Sequence, residues 1–360
     1  MKLNKWTLGL AAVGLVSLTS VQAEEVGQPL LTALTSTTIS GYVDTSFHFN
    51  PGRGVGAYAF GAGKADGFNL NSVLVSLEKP LEEGEWSAGY RADLQYGPDA
   101  DAIVGPQTSF ASENIRQAYV ALRAPLGNGL DIKLGRFDTI IGYESSDGYK
   151  NPNYTRSYAW SFQPTTHTGV LATYQALDFL SVNAGVAETL VTGPINARSP
   201  RGTWNKTYMG SVAITAPEEL GVLAGSALYA GVIDGFGGNA GEDQTSWYAG
   251  ATLATPVEGL RLGAAFDFVQ DPGFFPAAND IWTVGVYASF RATDKLGLHL
   301  RGEYVDLDVN DGWAATATVD YSLWDNVLSR VEGRWDHGSA TNAGGTRDSF
   351  LVAANLIYKF

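Results

Sequence analysis

Charged side chains in this sequence recur at alternate positions: Arg91 and Asp93, Asp131 and Lys133, Arg261 and further on Asp267, Arg301 and Glu303, then Arg330, Glu332 and Arg334. On an extended chain, residues two apart share one side. Ranged around water, opposed basic and acidic rows would set a transverse field that biases which ions pass. Packed against each other, they would only pair across neighbouring strands. A long irregular stretch, 138–165, adds Asp138, Glu144, Asp147, Lys150 and Arg156 among many Tyr, Asn, Ser and Pro residues. Arg136, in Gly135-Arg-Phe-Asp138, stands at its entrance.

Other chemistry is poorly served. Cysteine is absent, so no disulfide framework, thiolate nucleophile or thiolate metal site exists. The four histidines, His48, His167, His299 and His337, have no partner at metal-ligand spacing. Asp306-Leu-Asp-Val-Asn-Asp-Gly312 looks like a calcium loop, but its glycine falls one place late and no Glu closes it. The glycines between Gly56 and Lys64 lack Walker spacing. No serine-histidine elbow surrounds His337. The expectation is a protein with no catalytic residues, no metal and no cofactor.

The elements that must carry the charged rows are strands. In Trp86–Tyr96, the even positions are Trp86, Ala88, Tyr90, Ala92, Leu94 and Tyr96, and the odd ones are Ser87, Gly89, Arg91, Asp93 and Gln95. That is one oily face with aromatic ends and one polar face. Leu296, Leu298, Leu300 and Tyr304 oppose His299, Arg301 and Glu303 in the same way. Val327, Val331 and Trp335 oppose Arg330, Glu332, Arg334 and Asp336. Phe350 to Phe360 repeats the pattern. Segments 205–216, 220–233 and 244–256, rich in Ala and Gly, leave their facing open.

Seven short connections, at 79–85, 125–128, 175–178, 217–220, 256–259, 292–295 and 324–326, alternate with eight long ones. The long ones lie near 50–66, 97–113, 138–165, 188–205, 234–245, 270–280, 306–312 and 337–347. This predicts an all-β fold, a transmembrane antiparallel β-barrel of about 16 strands with short periplasmic turns and long extracellular loops. A soluble sandwich or propeller would show the same period with its oily face buried. Aromatics at strand ends and the persistent alternation of turns and loops favour the barrel.

The bulk properties agree. Lys2, Lys5, the apolar run Trp6–Leu18 and Val21-Gln22-Ala23 form a secretory leader, so residues 1–23 read as a signal peptide. Residues 24–38 then read as a short periplasmic segment and 39–360 as a single barrel domain. The net charge of −14 gives no electrostatic case for nucleic acid. Mean hydropathy is −0.05, and beyond the leader no apolar run reaches 18 residues. A barrel reconciles this with a membrane, since only every second strand residue meets lipid.

Several stretches resemble the OmpL-like β-barrel porin family. They include Ser40-Gly-Tyr-Val-Asp44, Gly89-Tyr-Arg-Ala-Asp93 with Gly97-Pro-Asp-Ala100, and Arg116-Gln-Ala-Tyr-Val120. Gly135-Arg-Phe-Asp138, Ile141-Gly-Tyr-Glu144, Asn151–Tyr158 and His167-Thr-Gly-Val170 extend the likeness, which is dense over about 40–180 and diffuse afterwards. The resemblance implies a bacterial outer-membrane location and channel activity. The closing Asn-Leu-Ile-Tyr-Lys-Phe360 looks like the signal read by the barrel assembly machinery. Resemblance to general porins implies a homotrimer and an inward-folded third loop.

The expected function is therefore passive diffusion of ions and small hydrophilic solutes through a water-filled barrel, narrowed by loop 138–165. The other reading is a structural or adhesive barrel with a blocked lumen. Candidate wall residues are Arg91, Asp93, Lys133, Arg261, Asp267, Arg301, Glu303, Arg330, Glu332 and Arg334. Candidate loop residues are Arg136, Asp138, Glu144 and Arg156, with Arg136 foremost because it opens the loop. Partners are outer-membrane lipids and the solutes. Net acidity favours cations and the wall arginines favour anions, so the sign of selectivity stays open.

Overall fold

The computed structural model describes residues 36–51, 64–83, 86–104, 114–190, 195–199, 202, 204–236, 243–272, 280–308, 310–339 and 348–360. The expected leader, most of segment 24–38 and parts of several long loops lie outside these residues.

Sixteen strands follow one another along the chain. They are β1 (Thr38–Phe49), β2 (Gly67–Lys79), β3 (Ser87–Tyr96), β4 (Ile115–Ala124), β5 (Leu130–Asp138), β6 (Thr166–Leu177), β7 (Leu180–Ala187) and β8 (Thr207–Thr215). The second half comprises β9 (Ala227–Phe236), β10 (Asp243–Ala254), β11 (Leu260–Gln270), β12 (Asp280–Arg291), β13 (Leu296–Asp306), β14 (Asp311–Trp324), β15 (Val327–Gly338) and β16 (Asp348–Lys359). Each pairs antiparallel with its sequence neighbours, and β1 pairs with β16, closing the sheet into a barrel. Gly41 and Phe360 exchange both backbone hydrogen bonds at 2.9 and 3.0 Å where the ends meet. Closure matters because a free sheet edge in hydrocarbon would leave backbone groups without partners.

The expected sidedness holds. Leu298, Leu300, Val331, Val352 and Leu356 are exposed on the outer surface, while Arg301, Glu303, Arg330, Glu332 and Arg334 are buried inside. On the loop side, outward aromatics touch in a belt: Trp282 and Tyr304 have ring centroids 4.9 Å apart, Tyr304 and Trp313 4.5 Å, and Phe47 and Phe68 5.0 Å. Toward the turn side lie the exposed rings of Tyr321 and Tyr358. Trp313 and Tyr321 are eight residues apart on one strand, about 27 Å along it. At the usual tilt that is a band roughly 20 Å high, close to that of outer-membrane barrels.

One connection differs from expectation. A turn at 217–220 followed by a strand from residue 220 is replaced by a longer link, and β9 starts only at Ala227. Pro217 has no N–H to donate to a ladder. Residues Glu218–Leu223 coil instead into 3₁₀ turns broken at Gly221, where φ is 57°. Ala216 and Ser226 close the link through a 2.7 Å backbone hydrogen bond.

Two β-bulges matter for the interior. The β1–β2 register slips between Asp44 and Thr45, and the β3–β4 register slips between Asp93 and Leu94. A bulge sets two residues against one and re-aims a side chain. Consecutive residues Asn71 and Ser72 are both buried as a result, and so are Arg116 and Gln117.

Candidate functional site

The lumen is crossed by the third long loop, residues 139–165. It leaves β5 through Ile140, Ile141 and Tyr143. These pack on an apolar patch of the inner wall formed by Leu171, Met209, Ile233, Tyr248, Ala265 and Tyr287. Tyr143 stacks on Tyr287 with ring centroids 4.0 Å apart. Two glycines make room for this: a Cβ on Gly231 would lie 2.7 Å from Ile141 Cγ2, and one on Gly263 would lie 1.8 Å from the Tyr143 hydroxyl. Ile141→Ala is expected to cost about 2–4 kcal/mol of local stability, as for other buried truncations. Faster hydrogen exchange of loop amides, with the strand amides unchanged, would register it.

The other half of the loop is held by polar groups. Glu332 accepts the backbone N–H of Tyr154 at 2.6 Å and of Thr155 at 2.9 Å, and Glu303 accepts that of Tyr158 at 2.7 Å. Arg301 donates to Glu303 at 2.7 Å, Glu144 at 2.8 Å, and the carbonyls of Thr155 at 2.7 Å and Arg156 at 3.1 Å. Arg330 donates to the carbonyls of Gly148 at 3.1 Å and Asn151 at 2.7 Å. Arg334 donates to the Arg156 carbonyl and to Asp336. These wall charges thus supply donors and acceptors that a loop inside a barrel cannot take from a sheet.

Local sequence shapes the loop to fit. Asn151 bridges it, accepting from the Ser145 N–H at 2.8 Å and donating to the Ser145 carbonyl at 2.8 Å. Ser157 caps α1 (Tyr158–Phe162) by accepting the Trp160 N–H at 3.3 Å. Tyr154 reaches β1, its hydroxyl 2.7 Å from His48 Nε2 and 3.0 Å from Ser46. Asp147 is fully enclosed; burial opposes its charge, but Arg116 and Lys150 beside it hold the carboxyl well below the usual carboxylate range.

The expected residues other than Arg136 fall into three groups. Arg301, Glu303, Arg330, Glu332, Arg334, Glu144 and Asp267 belong to the loop anchorage, Asp267 through Gln163. Arg156 joins it, donating to the Ser146 carbonyl at 3.1 Å and lying over the Trp160 ring. Arg91 and Asp93 pair with each other at 3.0 Å, and Asp138 pairs with Arg116. Lys133 and Arg261 line a cavity of about 620 Å³ on the short-turn side of the loop. Arg136 does not line it. By strand alternation it lies on the side of Leu134, with its guanidinium 3.0 Å from Thr166 Oγ1, while Phe137 is the residue that turns into the lumen cluster.

Residues missed by the charged-row reading are Arg116 and the inner tyrosines. Arg116 is on a bulge, so a strict count of two assigns it to the wrong face. Among the described residues, no three His, Asp or Glu side chains gather as a metal site.

A closed barrel of sixteen tilted strands, with an oily belt outside and a loop-crossed polar lumen, defines the architecture of an outer-membrane porin. A profile of the family described as "Putative beta-barrel porin-2, OmpL-like" matches residues 36–360. The chain belongs to this family, whose place is the bacterial outer membrane. It is similar in fold to OprB of Pseudomonas putida, with 12% identity over 92% of this chain and 96% of that one and a TM-score of 0.63. It is also similar to OmpF of Salmonella typhi in complex with daunomycin, with 11% identity, 90% and 97% coverage and a TM-score of 0.61. The trimer form of OmpT of Vibrio cholerae gives 13% identity, 90% and 99% coverage and a TM-score of 0.60. No curated protein sequence matches the chain. Family and fold point to a channel rather than an enzyme.

Proposed function

We propose that the protein is a passive diffusion channel for ions and small hydrophilic solutes, narrowed by loop 139–165. The supporting observation is the loop's attachment at both walls, apolar at Ile141 and Tyr143 and polar at Arg301 and Glu332, beside a cavity of about 620 Å³. A loop fixed in this way sets a constant cross-section, which suits a filter. No energy coupling is needed for such flow. The trimeric neighbour supports assembly of three copies, and the terminal strand that pairs with β1 is the segment offered to the assembly machinery. The same double attachment also favours the second reading, a barrel sealed by its loop with partner-binding loops outside.

Planar-bilayer recording separates the two. The purified folded protein is expected to give ohmic current steps of uniform size. Silence from protein whose heat-modifiable gel mobility shows it to be folded would favour the sealed barrel.

A further inference from the structure

The cavity on the short-turn side of loop 139–165 has an unequal charge lining. Seven arginine or lysine side chains border it, against three carboxylates, Asp138, Glu144 and Asp320. Each carboxylate already has a cation: Asp138 has Arg116, Glu144 has Arg301, and Asp320 has Arg291 at 3.2 Å, with the His299 ring nitrogen 2.6 Å away on its other oxygen. Four of the cations have no carboxylate within ion-pair distance among the described residues: Lys133, Arg261, Arg330 and Lys359. Lys133 lies over the Tyr119 ring at 4.8 Å and Lys359 over Tyr149 at 5.5 Å. Arg330 uses both terminal nitrogens on loop carbonyls, while its enclosed Nε has no partner.

We propose that this cavity makes the channel anion-selective, with Lys133, Arg261 and Lys359 as the groups a small carboxylate, phosphate or halide meets and Arg330 adding its charge from behind the loop carbonyls it holds. The inference rests on the porin reading above. The chain as a whole carries −14, so its bulk charge points the other way. Position decides the sign, because a carboxylate paired to an arginine exerts little field on a passing ion, whereas an unpaired ammonium or guanidinium exerts its full charge. Arg261 is the clearest of the four, since it lines the cavity from β11 and, among the described residues, no hydrogen bond or ion pair engages it.

The test is the reversal potential of the intact protein in a KCl gradient across a planar bilayer. The expected sign is that of chloride permeating faster than potassium. At about 6 Å and 0.15 M salt, Coulomb's law with screening gives about a threefold fall in the chloride-to-potassium ratio for each charge neutralised. Arg261→Gln and Lys133→Gln should each show this, and Arg261→Glu should lower the ratio about tenfold. Arg198→Gln, on the far side of the barrel, should move it little. Potassium preference in the unaltered protein, or a ratio indifferent to both glutamine substitutions, overturns the inference while leaving the porin reading intact. Absence of any conductance from folded protein overturns the porin reading itself.

Discussion

Arg301→Ala is expected to free loop 139–165 from β13 and to raise the unit conductance, with noisier current than the parent protein. The guanidinium is buried and satisfies two carboxylates, Glu144 and Glu303, as well as the carbonyls of Thr155 and Arg156. Removing one partner of a buried ion pair strands the remaining charge, at a cost of about 3–5 kcal/mol. That corresponds to a shift toward the detached loop of roughly a hundredfold to about five thousandfold. Arg301→Lys keeps the charge but loses the planar fork, so an intermediate effect is expected. Single-channel recording measures the conductance, and limited proteolysis within 145–157 reports the loop directly. An unchanged conductance with the loop cut would separate attachment from narrowing.

The second large effect concerns the outer surface. Leu300 is 61% exposed, four residues from the aromatic belt at Tyr304, and its neighbours Arg301 and His299 face inward. Leu300→Arg should destabilise the barrel in lipid by about 2–4 kcal/mol, the cost of a cation near the bilayer midplane. Thr252→Arg places the same side chain toward the cavity on the inner wall. Its cost should stay within about 0.5 kcal/mol, as for ordinary wetted positions. Denaturant unfolding in lipid vesicles measures both. A larger cost for Thr252→Arg than for Leu300→Arg would mean that the two faces are assigned the wrong way round.

Most of the barrel was legible because lipid and water impose opposite demands on successive residues. Strands such as β13 and β15, with Leu or Val alternating against Arg or Glu, carry their orientation in the sequence. Segments 205–216, 220–233 and 244–256 did not, and the reason is physical. Met209, Ile233 and Tyr248 face the lumen yet are apolar, because they pack on Ile141 and its neighbours. With oily residues on both faces, period two loses its contrast. Bulges hid Arg116 and Asn71 for a different reason, since one extra residue inverts the count from there onward.

For the site, residue type was informative but its use was not. The arginines and glutamates of β13 and β15 were recognisable as lumen residues, and only the path of loop 139–165 turns them into backbone anchors. Arg136 looked favourable by its place in the chain, while alternation carries it to the other side from Phe137. The residues left for solutes, Lys133 and Arg261, stand out only after the pairs are taken away.

The hydrogen bond from Thr45 Oγ1 to the Leu356 carbonyl, at 3.1 Å, ties together residues 311 positions apart. A cylinder completed by partners so distant cannot be finished while the ribosome is still making the chain. Long-range pairing of this kind is also intrinsically slow. The first strand therefore waits for its final neighbour until the last one has been made, and its outer edge stays open for all that time.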